Sequence, residues 1–149
     1  MIGIRFTTTL LITISASYLT ETALYLSHNI ILLFMADVIL KTEDEIELMR
    51  AANRLVSRTL SELRKWVKPG VTTLMLNNIA DEFIRDHGAI PTFKGFPNPF
   101  GSPFPGSICT SVNDCVVHGV PSASRVLKDG DILSIDCGVT LDTFCGDAA

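Results

Sequence analysis

Two aspartates near the end of the sequence have the spacing to share a cation. Asp136 lies in Ser134-Ile135-Asp136-Cys137-Gly138, and Asp147 follows in Gly146-Asp147. With Asp142-Thr143 as the two central residues of a turn, Gly138 falls opposite Asp147. Asp136, two residues from Gly138, then points to the same face of the hairpin. The two carboxylates become diagonal neighbours, about 7–8 Å apart at the backbone. Carboxylates that face each other out of water resist joint ionisation, and one or two divalent cations resolve that conflict. Gly138 leaves no side chain between them. On these residues alone a plainer alternative stays open, in which one aspartate faces solvent or caps a turn.

His118 is the second candidate, in Val116-Val117-His118-Gly119-Val120-Pro121. Read as a strand end beside a glycine and a proline-fixed turn, it is placed to donate to a ligand, although a lone histidine is more often structural. A zinc site from Cys115, His118, Cys137 and Cys145 has a spacing that matches no common zinc module. The four cysteines form no CxxC pair and read as reduced thiols of a cytosolic protein.

Certain elements must position these residues. Thr42 with Glu45 forms a capping box, and Ile46, Met49, Val56, Leu60, Leu63 and Val67 keep one apolar stripe until Pro69-Gly70 stops the helix. Thr72 caps a second helix that buries Leu76, Ile79, Ala80, Phe83 and Ile84, leaves Asp81, Glu82, Arg85 and Asp86 wet, and ends at Gly88. Both read as scaffold without chemistry. Prolines from Pro91 to Pro105 make the next stretch a loop. Its phenylalanines, Phe93, Phe96, Phe100 and Phe104, either pack beneath it or line a pocket, and packing is the simpler reading. Short strands follow at Ser107–Ser111 and Cys115–His118 around Asn113-Asp114, then at Ile132–Leu141 and Phe144–Asp147. Helices followed by hairpins give an α+β order rather than an alternating parallel one.

The 149 residues suffice for one domain, and a formal charge of −4 argues against a nucleic-acid partner. Residues 1–34 are apolar and Thr-rich, carrying only Arg5 and Glu21 as charges. Glu21 divides the segment into halves shorter than the roughly 20 residues a membrane span needs, and no clean signal-peptide cleavage site follows. The favoured reading is an upstream extension outside the domain, with Met35 as the true start and 35–149 as the domain.

Taken together, the ordered segments resemble the type I methionine aminopeptidases, the bacterial kind, from about Ile39 to Ala149. Lys41–Arg50, Val67–Thr73, Ser107–Asp114, Val117–Pro121, Leu127–Ile132 and Ile135-Asp136 through Gly146-Asp147 carry the likeness. The resemblance implies part of a pita-bread fold, in which two related α+β halves clasp a two-metal site. It implies a metallo-exopeptidase that removes methionine from the N-termini of peptides and nascent chains, in the cytoplasm and in proximity to the ribosome. Asp136 and Asp147 become metal ligands for cobalt, manganese, iron or zinc, with Asp136 bidentate to one ion and Asp147 bridging two. His118 becomes the catalytic contact at the scissile bond. Phe93, Phe96, Phe104 and Cys109 fall where the family lines its methionine pocket. The sequence departs from the family in a longer loop from Phe96 to Phe104 and in Thr143, where glycine is frequent. The family's remaining ligands, a histidine and two glutamates, come from downstream sequence. The chain alone is therefore expected to be an inactive fragment, with a non-catalytic binding module of the same fold as the alternative.

Overall fold

A computed structural model describes residues 39–99 and 101–149, so the reading of residues 1–34 and of Met35 as a start lies outside the described residues. All the elements among the described residues fall in one compact unit, Lys41–Ala149. No helix among the described residues is long and apolar enough to cross a membrane.

Helix α1 spans Glu43–Arg64 and opens with the expected capping box. The Glu45 N–H donates to Thr42 Oγ1 at 3.3 Å, and the Thr42 N–H donates to the Glu45 carboxylate at 2.8 Å. Its buried stripe is Ala52, Leu55, Val56, Thr59 and Leu63. Val67 is not part of it: the helix ends at Arg64, and Val67 is exposed. Pro69 disfavours helical backbone in the residue before it, and the last turn unwinds ahead of that point. Helix α2, Thr73–Asp86, is capped by Thr72 Oγ1, which accepts from the Met75 N–H. It buries Leu76, Ala80 and Ile84, and Gly88 takes the left-handed conformation after the last turn.

Four strands follow: β1 (Ile90–Pro91), β2 (Ile108–Val112), β3 (Leu133–Leu141) and β4 (Phe144–Ala148). β3 pairs antiparallel with each of the other three. At Cys137, Ile108 lies on one side and Ala148 on the other. The pleat sorts the residues by alternation. Ile108, Val112, Cys137 and Val139 point to the helices and join Leu55, Val56, Leu63, Leu76 and Ile84 in one core. Asp136, Gly138, Asp147 and Cys109 fall on the opposite face by the same alternation.

The strand expected at Cys115–His118 does not form. Asn113 turns the chain with φ at +57°, and 115–118 runs as an exposed loop. β2 pairs with β3 instead, a longer partner whose inward face is apolar.

The β3–β4 turn does follow the sequence reading. Asp142 and Thr143 have φ of +47° and +69°, the backbone of a two-residue hairpin turn twisted with its strands. Glycine and asparagine tolerate that conformation, whereas a β-branched side chain is strained in it. Thr143→Gly is therefore expected to stabilise the protein by about 1 kcal/mol in denaturant unfolding.

Candidate metal centre

The hairpin sets the acid pair. Gly138 pairs with Asp147 and Cys109 with Asp136, so the two aspartates are diagonal neighbours on the face away from the core. Burial pushes the Asp136 carboxyl above its ordinary range. The charge of Asp147 and a hydrogen-bonding contact between the two carboxyls push it further, while His118 pulls it the other way. Two carboxyls can share a hydrogen bond only if one keeps a proton, and a cation held between them would replace that proton. The donor chemistry thus fits a divalent ion taken up by Asp136 and Asp147. Among the described residues no group of three or more His, Cys, Asp or Glu is arranged around one ion.

Three devices hold the pair in place. Gly146 lies against α1, where an added Cβ would come 2.6 Å from the Ala52 carbonyl carbon and 2.7 Å from the Asn53 nitrogen. The next residue, Asp147, donates its N–H to Asn53 Oδ1 at 3.3 Å, so the helix grips the strand at the ligand itself. Gly138 leaves room for Phe93, whose ring would stand 2.7 Å from an added Cβ there. Asn53 was invisible to sequence reasoning. It lies on the exposed side of α1, and nothing in helical periodicity links it to a strand 94 residues away.

His118 lies in the exposed loop after β2, near enough for its charge to act on Asp136. Its backbone is left-handed, with φ at +55°. Gly119 explains how that conformation is held. The Thr110 N–H donates to the Gly119 carbonyl at 2.7 Å, and the Gly119 N–H donates to Ser111 Oγ at 3.2 Å. An added Cβ on Gly119 would lie only 2.2 Å from the Thr110 carbonyl oxygen, so only glycine lets the loop dock along β2. A strained residue over-determined by its neighbours is what a functional position shows.

Of the residues expected from the resemblance to line a pocket, Cys109 is buried opposite Asp136 and Phe93 is half-buried over Gly138. Burial, reinforced by the charges of Asp136 and Asp147, holds the Cys109 thiol up at about 11 and the Cys137 thiol up at about 12. Cys137 points into the core while Cys145 falls on the opposite face of the sheet, so the cysteines weighed for zinc do not converge. Phe104 is half-buried and Phe96 is 63% exposed, and the two are tied by the Phe104 N–H donating to the Phe96 carbonyl.

The two glycines predict different outcomes. Gly146→Ala meets helix backbone and is expected to cost about 2–3 kcal/mol of stability. Gly138→Ala meets a ring that can swing, at about 1 kcal/mol or less. Urea unfolding of both variants checks the contrast.

Comparison with known proteins shows the family and the fold. The chain is 51% identical over 112 residues to the methionine aminopeptidase of Clostridium acetobutylicum, and 54% identical over 112 residues to that of Clostridium perfringens. Each alignment takes in 75% of this chain and 43% of the relative, so the chain spans less than half the length of the curated relatives it matches. The crystal structure of methionine aminopeptidase from Rickettsia prowazekii superposes with a TM-score of 0.66 at 45% identity, covering 73% of this chain and 42% of that one. The α+β unit thus has the architecture of part of a pita-bread fold. The model of metallopeptidase family M24 matches residues 47–149, and the chain belongs to that family.

Proposed function

We propose that this protein takes part in metal-dependent removal of methionine from the N-termini of peptides and nascent chains. The observation that carries the reading is the Asp136–Asp147 pair on the sheet face away from the core, with His118 near enough for its charge to act on Asp136. Asp136 and Asp147 would be the residues of this chain that hold the two divalent ions, of cobalt, manganese, iron or zinc. When bound, the ions supply hydroxide at neutral pH and polarise the peptide carbonyl. His118, fixed by its strained backbone, donates a hydrogen bond at the scissile peptide group as charge develops there. Phe93, Phe96, Phe104 and Cys109 exclude water and receive an unbranched, sulfur-containing side chain. Such substrates are met in the cytoplasm, near the ribosome where N-termini emerge.

The test is made at the relatives' full length. Residues 41–149 replace the matching segment of the Clostridium perfringens methionine aminopeptidase, and methionine release from Met-Gly peptides is measured with Mn²⁺ supplied. The chimera is expected to turn over, and His118→Ala to cut kcat about 100-fold or more. Asp147→Ala is expected to abolish turnover. A folded, metal-loaded chimera that releases no methionine overturns the reading.

A further inference from the structure

Asp81 belongs to α2, on the side that the sequence alone assigns to solvent, yet its carboxylate is a junction. It accepts from Ser107 Oγ at 2.6 Å, from Lys94 Nζ at 3.0 Å and from Arg85 Nε at 3.0 Å. Burial works against its charge, but these donors outweigh it and bring its carboxyl down to about 2. One turn earlier on α2, Asn77 Oδ1 accepts the Ser107 N–H at 2.7 Å.

Lys94 and Ser107 are the two ends of the aromatic loop. Inside those ends the loop closes on itself, with the Gly95 N–H donating to the Phe104 carbonyl and the Phe104 N–H to the Phe96 carbonyl. Just outside the first end stands Phe93, whose ring covers Gly138 between the two aspartates. Two residues past the second end is Cys109, opposite Asp136. One carboxylate therefore grips both ends of the segment carrying the aromatic wall, without a hydrogen bond to the acid pair. A charge-assisted junction of this kind is geometrically demanding and only partly open to water.

We propose that Asp81 is a positioning residue for side-chain selection: it clamps the Phe93–Cys109 wall against the sheet and so sets the width of the pocket for the substrate's first side chain. The inference rests on the pocket reading above. Releasing the clamp lets the wall move while Asp136, Asp147 and His118 keep their own supports. Discrimination between an unbranched and a branched side chain should then fall, and metal affinity should not.

The test uses the full 149-residue chain. Hydrogen exchange is followed at Gly95 and Phe104, with Cys137 and Val139 in the core strand as the folding control. Binding of methioninamide and leucinamide is measured beside Mn²⁺ binding. In Asp81→Ala, protection at Gly95 and Phe104 is expected to drop at least tenfold with the control unchanged. The preference for methioninamide should narrow at least threefold, with Mn²⁺ affinity as in wild type. Lys94→Met, which frees one end only, should give a smaller drop, and Asp81→Glu should restore part of both signals. Unchanged loop protection in Asp81→Ala overturns the clamp, as does a loosened loop that leaves the methioninamide preference intact. If the wild-type chain binds neither amide, the methionine-pocket reading fails, and the exchange data still decide whether Asp81 holds the loop.

Discussion

Two carboxylates that repel each other are held together by a hairpin register, and much of the surrounding structure serves to keep them so. The repulsion shows in Asp136, whose carboxyl is pushed up by burial and by Asp147. Left to themselves, such groups would separate into water. They cannot, because Gly138 is paired with Asp147 and the left-handed turn at Asp142-Thr143 fixes that pairing. A one-residue slip of β4 against β3 would turn Asp147 toward the apolar core, and a slip of β3 against its neighbours would bury Asp136 and bring Cys137 and Val139 out.

The supports around the pair share one logic, in which a missing side chain allows close backbone or ring approach. Gly146 admits α1 to β4, Gly138 admits Phe93 to the sheet, and Gly119 admits the His118 loop to β2. The first acts on the core face behind Asp147, the second on the face of the acid pair, and the third along β2. Asn53 and Asp81 then fix what the glycines allow, Asn53 through the main chain of Asp147 and Asp81 through both ends of the aromatic loop. The helices are therefore more than scaffold.

Local patterns carried the legible part of the molecule. Thr42 with Glu45, the apolar stripes of both helices, and the turn at Asp142-Thr143 are signals within a few residues, and each appears where expected. The diagonal placement of Asp136 and Asp147 followed from strand period and turn length alone. What failed or stayed hidden depends on residues far apart. Cys115–His118 looks like a strand by composition, but Asn113 reverses the chain and Gly119 docks on β2, a tertiary contact. Asp81 looks wet by helical periodicity because periodicity cannot see a loop 26 residues ahead folding over it. Val67 continues the stripe on paper, yet the unwinding before Pro69 ends the helix first.

The central claim is that the conflict between Asp136 and Asp147 exists to be resolved by a cation. The most direct measurement is anomalous diffraction at the manganese edge from crystals of the protein soaked in Mn²⁺, compared with Asp147→Asn crystals. An anomalous peak is expected between the two carboxylates, lost or sharply weakened in the variant. A peak elsewhere, or none at this pair while the two side chains remain in contact, would contradict it.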